Sequence, residues 1–199
     1  DELFPNHKYW IDRGISKDTL SLFKGGICSK GLMKNRYVFP IFDSRKKFVG
    51  YSGRYIHKTK KKSLPKWLHR GDKSFWKYPL FINFDFIKNS QYVILVESIG
   101  DMLALWDAGI KNVMVVFGID VSLSVLNFLI RLDVEKIVIA FNNDKDNNLV
   151  GNKAADKAKN KFLKYFDEGQ VIIFLPDVKN DFGDMTKEEI KGWQKKINL

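Results

Sequence analysis

Acidic side chains follow three apolar segments of this sequence, in a pattern that suits a metal ion and a phosphate. The apolar segments cover residues 92–96, 136–141 and 171–175. Carboxylates that lie close together repel one another unless a divalent cation or protons intervene, and oxygen ligands suit Mg²⁺ or Mn²⁺. The pattern predicts a metal site that faces a phosphate substrate. The acids are Glu97, Asp101, Asp144, Asp146, Asp181 and Asp184.

Each acidic segment also has an ordinary structural interpretation. Residues 142–148 suit an Asn- and Asp-rich turn, residues 181–184 suit the entry to a helix, and Asp101 suits the first turn of a helix. Because acids follow all three apolar segments, one shared metal site is favoured over three unrelated structural roles.

Other chemistries lack the residues that they need. The run from Asp144 begins like a calcium loop, but Leu149 stands where that loop needs glycine and Ala155 where it needs glutamate. Dinucleotide-binding, Walker-type and esterase glycine motifs are absent from the sequence. The three histidines fall on predicted surface segments, and Cys28 is expected to be an ordinary thiol.

The elements that must position the acids are predicted by hydrophobic periodicity. From residue 91 onward, short apolar runs alternate with segments that repeat their apolar residues at helical spacing. The predicted order is βαβαβαβ, and strands this apolar belong in a parallel sheet covered on both faces. In such sheets ligands bind beyond the carboxyl ends of the strands, where the acids fall. Predicted strands cover 92–96, 112–117, 136–141 and 171–175, and predicted helices cover 99–109, 121–132, 152–166 and 186–197.

The pattern of the first 90 residues predicts a smaller α+β unit. Residues 9–23 suggest a helix that Gly14 interrupts, and residues 36–42 and 47–55 suggest paired strands. Residues 59–79 are predicted to be mostly loop, since Pro and Gly recur there. The fold class is therefore α/β, with residues 1–90 as a basic N-terminal subdomain and residues 91–199 as the catalytic domain.

Positive charge is concentrated in the first subdomain. Residues 1–90 carry 20 Lys and Arg against 7 Asp and Glu, while residues 91–199 carry 14 against 16. Between Ser44 and Arg70 there are ten basic residues and no acidic one, interleaved with aromatic side chains. Lys60, Lys61 and Lys62 alone suit a solvated loop, but the whole segment favours a surface for a polyanion such as single-stranded nucleic acid.

Length and composition restrict the class of protein. The chain has 199 residues, 45% of them apolar, and a single cysteine, so an internal disulfide is excluded and a reducing, cytoplasmic compartment is expected. The sequence contains neither a membrane span nor a secretory signal. The chain begins at Asp1, which indicates a piece of a longer protein with flanking domains.

The sequence resembles the DnaG-type DNA primases, most closely their phage versions, whose RNA polymerase core contains a Toprim domain. Three segments resemble the Toprim motifs: Val96-Glu97-Ser98 with Asp101, Ile139-Ala140-Phe141-Asn142-Asn143-Asp144, and Asp181-Phe182-Gly183-Asp184. Upstream, four segments resemble the basic subdomain of these enzymes: Tyr9-Trp10 with Arg13-Gly14-Ile15, the run from Asn35 to Ile41, Gly50-Tyr51-Ser52-Gly53-Arg54, and Pro65-Lys66-Trp67-Leu68.

Two residues depart from the family pattern. Ser98 replaces a glycine, and Asn142 stands where the family usually has the first aspartate of Asp-x-Asp. Either Asp144 is the matching ligand and Asp146 compensates for the lost charge, or Asp144 and Asp146 form the pair themselves, displaced by two residues. The sequence leaves both alternatives open.

The resemblance implies a Rossmann-like Toprim sheet and the synthesis of short RNA primers from ribonucleoside triphosphates on single-stranded DNA, by two-metal nucleotidyl transfer. Mg²⁺ or Mn²⁺ would be held by Glu97, Asp144 and Asp146, with Asp101, Asp181 and Asp184 around them. Glu97 would also help to deprotonate the attacking 3′-hydroxyl. The residues expected to hold template and triphosphate are Arg36, Arg54, Lys66 and Lys77.

The resemblance also implies a replicative helicase as partner, through a domain beyond Leu199, and no contact with a membrane. Two alternatives remain. A Toprim nuclease would share the acids and the metal but cut phosphodiesters. A non-catalytic nucleic-acid-binding module would have lost its metal site at Asn142.

Overall fold

An antiparallel sheet forms most of the N-terminal half. The computed structural model describes residues 3–57, 64–144 and 149–197. Its first sheet has five strands that pair in sequence order, each antiparallel to the next. The central pair, β3 and β4, confirms the predicted hairpin. The strands are β1 (Leu3–Phe4), β2 (Gly26–Cys28), β3 (Arg36–Phe42), β4 (Phe48–Tyr55) and β5 (Trp67–Arg70).

Two short helices lie between the first two strands. The predicted helix over residues 9–23 is divided into α1 (Lys8–Ile11) and α2 (Lys17–Leu22). Gly14 separates them with a φ of +84°, a left-handed conformation that glycine adopts without the steric cost of a side chain. Ser16 then caps α2 by accepting a hydrogen bond from the Thr19 backbone N–H.

The loop predicted over residues 59–79 is wrong for its central part. Residues 67–70 form β5, which pairs with β4 so that Arg54 lies opposite Trp67 and Ser52 opposite His69. The segment is only four residues long, with two apolar residues followed by two polar ones, and so shows no alternation of apolar residues. Its strand conformation comes from pairing with a distant segment rather than from local preference. Residues 58–63, with Lys60, Lys61 and Lys62, lie outside the described residues.

The second sheet confirms the predicted parallel α/β arrangement. Its four strands lie in the order β7-β6-β8-β9 and all neighbouring pairs are parallel. The strands are β6 (Tyr92–Val96), β7 (Val113–Val115), β8 (Lys136–Ile139) and β9 (Val171–Ile173). The helices of this half are α3 (Leu80–Ser90), α4 (Ile99–Asp107), α5 (Leu123–Leu132), α6 (Val150–Phe162) and α7 (Lys187–Lys196).

Helix α3 was not predicted, because its pattern is not amphipathic. Phe84 and Phe86 stay exposed while Leu80 and Ile87 are buried. By contrast, Thr186 caps α7 together with Glu189, as the predicted capping box requires.

Two apolar cores cover the two faces of the parallel sheet. One core packs α3, α5 and α6 against the sheet. The other joins Trp10, Tyr37 and Phe39 of the N-terminal half to Ile94 and Val96 of β6. The two halves therefore share buried side chains, and the division at residues 90 and 91 stays a prediction. In the described part of the chain, every helix is too short or too polar to cross a membrane.

Asp107, at the end of α4, ties the two halves together. Its side chain is only 4% exposed and accepts hydrogen bonds from the Ser16 hydroxyl, the Ser16 backbone N–H and the Thr19 hydroxyl. Lys187 of α7 forms an ion pair with it. Burial alone would raise the pKa of Asp107, but Lys187 and the two hydroxyls lower it below its ordinary value.

We expect Asp107→Asn to lower the free energy of unfolding by about 2 kcal/mol, because charged hydrogen bonds and an ion pair are lost. Since the pKa of Asp107 is lowered in the folded state, its contribution is present above about pH 4 and is lost as the pH falls below that. Urea unfolding at neutral and acidic pH measures both effects. Asp12→Asn, in the exposed pair with Lys8, is the control and should cost under about 0.5 kcal/mol. Equal losses in the two variants would contradict this role.

Candidate active site

Glu97 connects the ends of two neighbouring parallel strands. It follows β6 directly, is half-buried, and its Oε1 accepts a hydrogen bond from the Asn142 backbone N–H at 3.0 Å, just past β8. Burial raises the pKa of Glu97, and the nearby charges of Asp144 and Asp181 raise it further, against the lowering effect of the Asn142 N–H. The structure thus brings three of the predicted acids into electrostatic contact.

Asp101 is the most deeply buried acid of the group. It is 3% exposed, and its Oδ2 accepts hydrogen bonds from the Ser98 hydroxyl at 2.7 Å and from the Ser98 backbone N–H at 3.2 Å. Burial, together with the nearby charges of Asp181 and Glu97, raises the pKa of Asp101 to about 7, although the hydrogen bonds from Ser98 and the Gly183 N–H lower it. Asp101 therefore carries a proton for part of the time near neutral pH.

Ser98, one of the two departures from the family pattern, is the N-cap of α4. Its hydroxyl also accepts the Asp101 backbone N–H, so Ser98 and Asp101 form a reciprocal capping box. The Ser-x-x-Asp spacing is visible in the sequence. This capping role explains why a serine occupies the position.

Asp181 precedes the 3₁₀ turn Phe182–Asp184 and Asp184 ends it, and the two side chains lie at different depths. Burial and the charge of Asp184 raise the pKa of Asp181, while Arg13 and Arg54 oppose the increase. Asp184 is exposed and forms an ion pair with Arg13 at 3.0 Å. Asp181 therefore belongs to the buried group, and Asp184 lies at its edge. The contribution of Arg13 was missed, because it comes from a distant helix end.

Asp144 caps α6. Its Oδ2 accepts the Gly151 backbone N–H at 3.0 Å, and a side chain at Gly151 would meet the Asn142 carbonyl oxygen at 2.1 Å. Asn143 donates its backbone N–H to the Asn180 carbonyl at 2.7 Å, which holds the segment next to Asp181. Asp146 lies outside the described residues, so the choice between Asp144 and Asp146 as principal ligand stays open.

A cleft of about 280 Å³ separates these acids from the antiparallel sheet. One wall carries Glu97, Asn142 and Asp181, and the opposite wall carries Lys66 and Trp67. The sheet that faces the acids is thus cationic and aromatic. Other residues of the cleft are Ser52, His69, Ser98, Ile99, Phe117 and Gly118.

The four predicted phosphate-binding residues occupy three different environments. Lys66 lines the cleft. Arg54 donates from Nε to the Tyr9 hydroxyl at 3.1 Å and lowers the pKa of Asp181, so it also faces the acids. Lys77 lies in a separate cavity, where its Nζ donates to the Ser124 hydroxyl at 2.8 Å.

Arg36 is buried, with 3% of its surface exposed. Its guanidinium donates to the carbonyl oxygens of Gly53 at 3.0 Å, Pro65 at 3.0 Å and Lys66 at 3.3 Å. These contacts hold the backbone that presents Lys66 to the cleft. The position favours a structural role for Arg36.

The surface placement predicted for the histidines is wrong for two of them. His7 is 7% exposed and contacts the Tyr37 hydroxyl. His69 is half-buried in the cleft, where burial, with smaller effects of Lys73 and Arg36, lowers its pKa to about 4. His69 is therefore neutral at physiological pH. Sequence reasoning missed it because strand β5 was not predicted.

The donor set suits a hard divalent cation. Within residues 3–57, 64–144 and 149–197, no three acidic, His or Cys side chains are grouped closely enough to hold an ion by themselves. Mg²⁺ needs no such cage, since it is commonly bound by one or two carboxylates, water and substrate phosphates. Burial first and neighbouring carboxylates second raise the pKa values of Glu97, Asp101 and Asp181, and a bound cation would stabilise their ionised forms.

Comparisons with known proteins agree with this geometry. Residues 91–174 match the Toprim domain family. A DNA primase of Helicobacter pylori strain J99 is 27% identical over 93% of this chain and 38% of the relative, and one of Borreliella burgdorferi is 28% identical over 96% and 36%. The chain thus spans less than two-fifths of these curated relatives.

A solved structure, described as a DnaG primase catalytic domain bound to ssDNA, has the same fold. It superposes with a TM-score of 0.78 at 18% identity, over 96% of this chain and 71% of that chain. The Toprim fold with a preceding basic α+β unit is confirmed.

We expect the free energy of unfolding of the metal-free protein to fall as the pH rises from about 4 to about 7, because Asp101 binds its proton more tightly when folded than when unfolded. Asp101→Asn should reduce this fall, since the amide does not ionise. Urea unfolding in a chelator over this pH range measures it. Asp156→Asn, on the exposed side of α6, should keep the slope of the unsubstituted protein. An unchanged slope in Asp101→Asn would rule out the titration of Asp101.

Proposed function

Because this chain belongs to the DnaG-type primase family, we propose that it joins ribonucleotides into short RNA primers on a single-stranded DNA template. The observation that carries the proposal is the cleft itself, in which a buried group of acids faces a cationic and aromatic sheet. An acid group alone would suit several phosphate chemistries. The facing cations add a means to bind a polyanionic template and a triphosphate in the same space.

The acids would hold the divalent cations that the reaction needs. Glu97 and Asp144 are the ligands in the described residues, with Asp146 as the third, and Asp101, Asp181 and Asp184 adjust the charge around them. When bound, Mg²⁺ or Mn²⁺ would neutralise the charge that develops on the triphosphate. The positive charges of Arg13 and Arg54 offset the repulsion between Asp181 and the other carboxylates of the group.

Glu97 is suited to receive the proton of the attacking hydroxyl. In the proposed step the 3′-oxygen forms a bond to the α-phosphorus of the incoming triphosphate, the bond to pyrophosphate breaks, and the hydroxyl proton passes to a Glu97 carboxylate oxygen. Burial raises the pKa of Glu97, which makes its carboxylate a better base than an exposed one.

The cationic wall would bind the strand and the nucleotide. Lys66 and Arg54 would contact phosphates. The Arg54 guanidinium lies over the Trp67 ring, and an unpaired base would stack on the part of that ring that lines the cleft. The similar catalytic domain described as bound to ssDNA supports single-stranded DNA as the template. Ribonucleoside triphosphates and a helicase are further partners that the family implies.

We expect the protein to make labelled ribonucleotide oligomers on single-stranded DNA in Mg²⁺ or Mn²⁺, and Glu97→Gln to reduce the yield by about 100-fold or more, because one charged ligand and the proton acceptor are lost. A sequencing gel with end-labelled DNA and labelled ribonucleotides measures both products. Glu188→Gln, an exposed residue of α7, is the control and should keep full activity.

The same gel separates the alternatives. Shortened DNA without new oligomers would identify a nuclease. The absence of both products, together with DNA binding that is indifferent to chelators, would identify a non-catalytic binding module.

A further inference from the structure

A second and larger cavity shares Phe117 with the carboxylate cleft as a wall. It has a volume of about 790 Å³ and lies between the 3₁₀ turn Lys73–Phe75, helix α5 and the end of α6. We call it the α5 groove. Apart from Lys77, none of its charged residues was singled out in the sequence. The residues that matter below are Lys73, Phe75, Lys77, Ser124, Arg131 and Lys161.

The residues that line the α5 groove include four cationic side chains and one carboxylate. Lys161 pairs with Asp120, the single carboxylate among the residues that line it. In the described part of the chain, Lys73, Lys77 and Arg131 form no ion pair with a carboxylate. Like charges collected in a cavity repel one another, so this arrangement favours an anionic ligand.

The position of Lys77 strengthens this argument. Its Nζ donates to the hydroxyl of Ser124, in the first turn of α5. A cation at a helix N-terminus is unfavourable, because the helix dipole is positive there. A bound phosphate would interact favourably with both the cation and the helix end.

The shape of the groove suits a strand rather than a single phosphate. Ser124, Phe128 and Arg131 are spaced by four and three residues, so they lie on one face of α5, and the rise of the helix places the first and last about 10 Å apart. Phe75 is 70% exposed and Leu123 is 65% exposed at this groove. Cations along a groove with an exposed aromatic ring are the features that bind single-stranded nucleic acid.

We propose that the α5 groove binds a single-stranded polynucleotide, with its phosphates on Lys73, Lys77 and Arg131 and a base on Phe75. The inference rests on the proposed function, because the strand would be either the template or the growing primer. Phe117 would separate this strand from the acids. The groove lies on the Toprim side of the molecule, so it extends the binding surface beyond the basic N-terminal sheet.

The test is the affinity of two fluorescein-labelled oligomers, oligothymidylate and oligouridylate, measured by fluorescence anisotropy in a chelator over a range of salt. The double variant Lys73→Gln/Arg131→Gln should bind about tenfold more weakly at low salt, with a salt slope smaller by about 1.4 for two lost contacts to a single strand. Phe75→Ala should bind about tenfold more weakly with the salt slope unchanged, because stacking carries no charge.

The matched control is Lys191→Gln/Lys195→Gln, on the exposed face of α7, which removes the same charge away from the groove. Lys73, Phe75 and Arg131 are all exposed, but replacing Lys73 also removes its hydrogen bond to the Phe117 carbonyl oxygen. Urea unfolding of each variant therefore checks that a loss of affinity is not a loss of folded protein. If the variants lose affinity for the DNA oligomer alone, the strand in the groove is the template. If they lose affinity for the RNA oligomer alone, it is the primer, and if they lose affinity for both, the groove binds either strand. Affinities and slopes equal to those of the control would overturn the proposal.

The measured strand affinities do not depend on catalytic activity. A protein that makes no primers but loses strand affinity in the groove variants would refute the proposed function and keep the groove as a binding site. A protein that makes primers and binds strands equally well in every variant would refute the groove alone.

Discussion

The burial of several carboxylates beside one another, at the carboxyl edge of the parallel sheet, is the constraint on which the rest of the site depends. Burial and neighbouring acids raise the pKa of Glu97, Asp101 and Asp181. Glu97 accepts a hydrogen bond from the Asn142 backbone N–H and Asp101 accepts one from the Ser98 backbone N–H, while the charges of Arg13 and Arg54 lower the pKa of Asp181. The fold thus supplies enough donors to keep the acids close together while leaving their charge partly unbalanced, which is the condition for binding a cation.

The N-terminal half completes the site by covering the acids with cations. Its sheet packs on the Toprim sheet through a shared core, and Asp107 fixes helix α2 against α4 and α7. This attachment places Arg13 and Arg54 where they lower the pKa of Asp181. The cationic wall is therefore part of the electrostatic balance of the acid group, in addition to the substrate-binding role proposed for it.

The sequence predicted the parts of the structure that depend on local pattern. Buried parallel strands are apolar along their whole length, so β6 and β8 and the acids that follow them were recognisable. Capping residues marked the start of α7. Strand β5 and helix α3 were missed, because a four-residue edge strand without apolar alternation and a helix with exposed Phe84 and Phe86 carry no periodic signal.

Side-chain environment was harder to predict than side-chain type. Arg36, Arg54, Lys66 and Lys77 all suit phosphate binding by their chemistry, yet the fold buries Arg36 under three carbonyl oxygens and places Lys77 outside the cleft. These outcomes depend on contacts between segments far apart in the chain. The site as a set of acids was predictable, while the distribution of cations around it required the tertiary structure.

Phe117 connects the two binding regions that result. Its φ of +57° is unfavourable for an aromatic residue, at a cost of about 1–2 kcal/mol. Edge-on packing against Trp76 at 4.9 Å and His69 at 5.6 Å, with a hydrogen bond from Lys73 to its carbonyl oxygen, holds this conformation. Because the ring borders both the carboxylate cleft and the α5 groove, a strand bound in the groove would lie on the other side of this ring from the acids. Under the groove proposal, this strained residue would lie between the bound strand and the acids.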